Sequence, residues 1–213
     1  SVNKEDKIWL AEETLSHSLS IYLIWGFEEF EFFLKRIYAF IGFINKNNWQ
    51  GGDFGNAVLR DIKLTTFDEY LSAVNKNSKL SSTEILKRLR KICPDIVNWE
   101  FSGIRNLKNW HWRVAYITLI RHVLVHRTGE VENTNKFEKR LRDELGVGNS
   151  KDFAAFLSRM NAKYMQHLDG RCHISLCDFF KPSGIAKKCD ELLDTLQIHT
   201  EFICEAVKKE SFK

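Results

Sequence analysis

Apolar residues recur at helical spacing along most of this chain, with short polar breaks between the runs. Residues 5 to 46 predict one long helix, or two with a kink near Gly26. Phe27, Phe30, Phe32, Phe33, Tyr38, Phe40 and Phe43 make that helix strongly aromatic, which suits core and dimer packing better than base stacking. Asn45 to Gly55, with Asn47, Asn48, Gly51 and Gly52, reads as a loop. A short helix follows over residues 66 to 75. Ser81-Ser82-Thr83-Glu84 has the form of a capping box and opens a helix that ends at Pro94. The stretch Asp95 to Lys108 is expected to be irregular.

The run from Asn109 to Arg127 has no Gly or Pro and reads as one helix, with Gly129 as its stop. At about 100° per residue, Tyr116, Ile117, Ile120, Val123 and Leu124 share a core face. Thr118, Arg121, His122 and Val125 fall roughly opposite, with His126 at the edge. That outer face is too apolar for open water and too charged for a core, so it is expected to meet a second surface or line a cleft. Beyond it, Asn133 to Leu145 reads as a short charged helix stopped by Gly146, and Ser150 caps another to about Ala162. Residues 165 to 181 suggest a turn or short hairpin. A last helix from Ser183 to about Lys208 carries Ile185, Cys189, Leu192, Leu193, Leu196, Ile203 and Val207 on one apolar stripe.

Composition agrees with this all-α reading. Only 2 Pro and 11 Gly in 213 residues argue for long helices over a turn-rich β fold. A hydrophobic content of 44% supports a real core, and the length fits a single domain over residues 1–213. Net charge is +4, which is compatible with nucleic acid without pointing to it, so any RNA-binding patch must be local. Five Cys, an odd number with no tight pair, favour reduced thiols and a cytoplasmic setting. Cys172, His173 and Cys177 do not complete a zinc site, which needs four ligands, so no metal or cofactor is expected. The polar N-terminus does not read as a signal peptide. Leu19 to Ile44 carries Glu28, Glu29, Glu31, Lys35 and Arg36, too many charges for a membrane span.

The chemistry concentrates in Arg121-His122-Val123-Leu124-Val125-His126. An imidazole exchanges protons near neutral pH, and an arginine braces a phosphate with two parallel hydrogen bonds. Arg121 and His126 lie about 140° apart around a helix and about 7.5 Å apart along it, so they flank a groove better than they clamp one atom. Two copies about a twofold axis would gather two arginines and two histidines. The plainer account pairs Arg121 with a carboxylate and leaves His126 at a helix C-terminus, where the dipole favours it.

This segment resembles the HEPN superfamily, all-α domains marked by Arg-x4-6-His with a polar residue directly after the Arg. Val125-His126-Arg127-Thr128-Gly129-Glu130-Val131 is similar to the sequence that follows the motif in that family. Ile85 to Pro94 is similar to the helix that commonly precedes it. The resemblance implies a helical bundle that dimerises through the motif helix and cleaves RNA without a metal. Arg121 and His126 would be catalytic, supported by His122, where Asn or Asp is more usual. The implied products are a 2′,3′-cyclic phosphate and a 5′-hydroxyl, made by a toxin or anti-phage defence protein with an antitoxin or regulatory protein as partner. Members that have lost activity bind RNA or protein instead.

Arg127, Lys87, Arg88, Arg90 and Lys91 are the candidate RNA-binding cations, although a solvated charged face would look the same. No Ser-His-Asp pattern, P-loop or dinucleotide-binding glycine fingerprint is present.

Overall fold

The computed structural model describes residues 4–49, 63–102, 109–168, 170–177 and 187–211. Among them are eight α-helices and a small three-stranded sheet, an all-α fold. The helices are α1 (Lys4–Ile44), α2 (Phe67–Lys76), α3 (Ser82–Ile92), α4 (Pro94–Phe101), α5 (Trp110–Arg127), α6 (Thr134–Leu145), α7 (Lys151–Tyr164) and α8 (Lys187–Ser211). The strands are β1 (Glu130–Val131), β2 (Met165–Leu168) and β3 (Arg171–Ile174). No helix among the described residues is long and apolar enough to cross a membrane. The chain divides into two compact units, residues 1–27 with 103–196, and residues 28–102 with 197–213.

In the first unit, α5 is the central element. Val114, Ala115, Tyr116, Ile117, Leu119, Ile120, Val123 and Leu124 are all buried, so its upper turns are enclosed nearly all round. Trp112 and Tyr116 meet Phe153 and Phe156 of α7 edge-on or tilted, the arrangement the ring quadrupole favours. Gly26 does not break α1, which runs unbroken through it. A Cβ at Gly26 would come within 2.3 Å of Leu193 Cδ2, so glycine lets α8 approach closely here. The expected hairpin forms as β2 and β3, antiparallel with Met165 opposite Ile174, and β1 joins the other edge of β3.

The second unit holds the later part of α1, α2, α3, α4 and the end of α8. Residues expected to be irregular form α4, because Pro94 sits in its first turn, where a missing N–H costs nothing. Residues 103–108 of that expected segment, Ser183 and Ile185 of the last predicted helix, and Gly51 to Gly55 of the predicted loop lie outside the described residues. The Ser81 hydroxyl accepts the Glu84 N–H, but the Glu84 carboxylate pairs with Lys87. The reciprocal capping box lies one helix earlier, between Thr66 and Glu69. Trp49 packs on Tyr38 and donates its indole N–H to the Tyr38 carbonyl at 2.9 Å.

Candidate functional site

The geometry around the motif begins with how α5 stops. Asn109 opens the helix by accepting the Trp112 N–H, and Thr128 closes it in the left-handed conformation at φ 50°. Gly129 follows at φ 87°, a region that glycine enters without steric cost. Its N–H returns to the Val123 carbonyl, and its own carbonyl accepts the Ile174 N–H at 2.8 Å. The chain then runs through β1, and Asn133 caps α6 by accepting the Lys136 N–H. This reversal lays α6 beside α5. Phe137 and Leu141 of α6 turn into the core, while Lys136 and Arg140, one turn apart, form a ridge facing the end of the motif helix.

A cavity of about 110 Å³ lies between α5, β1 and α6. Leu119, Val123, Val131 and Phe137, all nearly inaccessible, make an apolar floor. His122, Arg127, Lys136 and Arg140 stand around it, together with Glu130, Glu132 and Asn133. Arg127 pairs with Glu132 at 2.6 Å, and Arg171 approaches Glu130 at 3.5 Å. Both are solvent-facing pairs of the kind worth roughly 0–1 kcal/mol, so a ligand can displace them. Among the described residues Lys136 and Arg140 make no ion pair.

The structure brings His122 and His126 together, with ring centroids 4.6 Å apart. Neither imidazole has a hydrogen-bond partner among the described residues, and His126 is exposed while His122 is half-buried. The pKa of His122 is lowered, first by burial and then by Arg140, His126, Arg127 and Arg121. A neutral imidazole is the form that accepts a proton. Arg121 is half-buried and extends toward α1, its guanidinium carbon 5.9 Å from the Phe27 ring centroid. Neither Arg121 nor His126 lines the cavity; His122 and Arg127 do.

The other candidate cations belong to the second unit. Lys87 is exposed and pairs with Glu84, Lys91 is exposed, and Arg88 is half-buried. Arg90 grips Glu100 through two hydrogen bonds, at 2.6 and 3.0 Å. Glu100 also meets His199 Nε2 at 2.7 Å, and both side chains are fully buried. Burial alone would raise the Glu100 carboxyl, but hydrogen bonds from His199 and Arg90 and the Arg90 charge pull it down to about 2. Phe30 and Trp99 lie against the His199 ring, and Phe202 stacks on Trp99.

Sequence reasoning missed Arg140, Glu100 and His199. The last two carried a signal: Glu100 is four residues from buried Ile96, and His199 lies between buried Leu196 and Ile203 on the α8 stripe. A polar residue at an apolar helix position requires a buried partner. Among the described residues no three His, Cys, Asp or Glu side chains gather as a metal site. In comparisons with protein-family models, curated proteins and solved structures, nothing matches this chain.

Proposed function

We propose that this protein is a metal-independent endoribonuclease of the HEPN type, acting as a homodimer in a toxin or anti-phage defence setting. The observation that carries the reading is the His122–His126 pair at 4.6 Å, unpartnered and beside the Arg127, Lys136 and Arg140 cations. In this reaction His126 takes the proton from a ribose 2′-OH, and the 2′-oxygen attacks the adjacent phosphorus. Arg121 meets the charge that builds on the phosphoryl oxygens. A protonated imidazole from the other subunit donates to the leaving 5′-oxygen. The bond from phosphorus to that oxygen breaks, leaving a 2′,3′-cyclic phosphate and a 5′-hydroxyl. DNA lacks the attacking hydroxyl and is not a substrate. Exposed Ile21, Tyr22 and Trp25 on α1 and Val125 on α5 support pairing of two copies, since exposed apolar side chains of this size favour an interface.

One observation favours a different reading. Arg121 lies over Phe27, a packing role that an RNA- or protein-binding module without activity would retain. Cleavage of total RNA and tRNA in EDTA separates the two. Under the nuclease reading, cyclic phosphate ends form, and His126→Ala lowers the rate by about 10²–10⁴-fold with unchanged circular dichroism. RNA left intact by a folded dimer, or cut equally by the His126→Ala and Arg121→Ala proteins, would overturn it.

A further inference from the structure

Glu132 stands exposed on the rim of the cavity between α5, β1 and α6. Its carboxylate accepts a hydrogen bond from Arg127 Nη1 at 2.6 Å. The carboxyl is held below its ordinary range, first by that bond, then by the charges of Arg127 and Lys136. One carboxylate thus answers to two cations, one from α5 and one from α6. Arg140 lies one turn beyond Lys136 and lines the same cavity. The floor of Leu119, Val123, Val131 and Phe137 offers no hydrogen bond, so an anion is held at the rim and not below it. A carboxylate and a phosphodiester each spread one negative charge over two oxygens. A guanidinium that holds the first therefore also fits the second. His122 belongs to the wall of this cavity and stands against His126, so the rim lies beside the imidazole pair.

We propose that Arg127, Lys136 and Arg140 form a second phosphate subsite, which receives a backbone phosphate of RNA neighbouring the cleaved one, and that Glu132 occupies it until the strand displaces it. The word "cleaved" rests on the ribonuclease reading; the subsite itself rests on the cations and the carboxylate between them. Exchange is open because the Arg127–Glu132 pair faces solvent, and such pairs shift an equilibrium by only about fivefold or less. The displaced carboxylate turns into water, where its charge is solvated. Every base has an apolar face that the floor beneath can take, so the subsite adds affinity without base preference.

The test uses the full chain and a fluorescein-labelled single-stranded DNA oligonucleotide. Its phosphates match those of RNA, and it cannot be cleaved for want of a 2′-hydroxyl. Anisotropy titrations over a range of salt concentrations give the affinity and its salt dependence, and circular dichroism checks each variant for folding. Arg140→Ala, at an exposed position, should weaken binding by about two- to fivefold. It should also lower the slope of log affinity against log salt by about 0.7, the mark of one lost phosphate contact on a single strand. Glu132→Gln should tighten binding by about two- to fivefold, because the strand no longer competes with the protein's own carboxylate. Asp143→Asn removes the same charge from an exposed position of α6 that does not line the cavity, and it should change the affinity far less. An unchanged salt slope in Arg140→Ala overturns the proposal, as does a Glu132→Gln protein that binds no tighter than the native one. Equal tightening by Asp143→Asn, or no binding of the strand, also overturns it. Inorganic phosphate that displaces the strand at equal phosphate concentration would mark a free-anion site and overturn the RNA assignment. Cleavage of RNA in EDTA, measured in parallel, separates the two readings. Tightening by Glu132→Gln without any cutting sinks the nuclease and leaves an RNA-backbone site; RNA cut with an unchanged KM by both variants sinks the subsite and leaves the nuclease.

Discussion

Replacing Glu100 with Gln removes one charge from a buried triad and changes its shape very little. Glu100 is fully buried between Arg90 and His199, and its carboxyl sits at about 2 against an ordinary 4.5. At about 1.4 kcal/mol for each tenfold change in proton affinity, that gap corresponds to about 3 kcal/mol of stabilisation. The same magnitude follows from removing one partner of a buried ion pair, about 3–5 kcal/mol, because the Arg90 charge is left without its counter-ion. The sign follows from the direction of the shift. A carboxyl held low in the folded state stabilises above its unfolded pKa, near 4.5, and that contribution fades as pH falls toward 2. Urea unfolding followed by circular dichroism measures it. With a slope of about 2–3 kcal/mol per molar urea, the midpoint at pH 7 should fall by about 1–1.5 M. The gap between native and Glu100→Gln proteins should narrow from pH 4.5 downward. Replacing Arg90, Glu100 and His199 together by apolar residues should cost less than Glu100→Gln alone, since no charge is then stranded. A midpoint shift below about 0.3 M at pH 7, or one that persists undiminished at pH 2.5, would refute this account of the triad.

Two further predictions concern the packing of Trp49 on α1 and the imidazole pair. Gly42→Ala places a Cβ within 2.2 Å of two Trp49 ring atoms, and that ring is held by its hydrogen bond to the Tyr38 carbonyl. Overpacking of about 1–3 kcal/mol should outweigh the helix-propensity gain of about 1 kcal/mol, read as a lower urea midpoint and a moved Trp49 indole N–H resonance. Among the cations that depress His122, Arg140 acts most strongly, so Arg140→Ala should raise the His122 pKa. The His122 ring-proton titration then moves to higher pH; an unmoved titration would show that Arg140 does not act on this ring.

Much of the fold was legible because it is local. Tyr116, Ile117, Ile120, Val123 and Leu124 are buried as a helix period requires, and Asn109, Ser81 and Ser150 cap helices through side-chain oxygens at the expected positions. Helix α4 was missed because Trp99 and Phe101 hid a weak pattern, although Pro94 marked its first turn. On the sequence, Arg121 and His126 were set on either side of a groove; the structure instead stands His126 against His122, four residues away on the same helix. Arg140 was not legible, because on the sequence it is one of several alternating charges in α6.

The sequence by itself determined where the helices begin and stop and which face of α5 is apolar. It also placed His122 and His126 within one turn of each other, because capping and periodicity act over four or five residues. Only the tertiary structure decided what those residues meet. The left-handed turn at Thr128 and Gly129 sets α6 against α5, so Arg140 and Lys136 stand over an apolar cavity beside His122. Burial of Ile96, Leu196 and Ile203 carries Glu100 and His199, 99 residues apart, into one hydrogen bond. No short-range rule reports such encounters. They are fixed by which apolar faces are buried together, and the polar groups carried with them must then find partners in the space that remains.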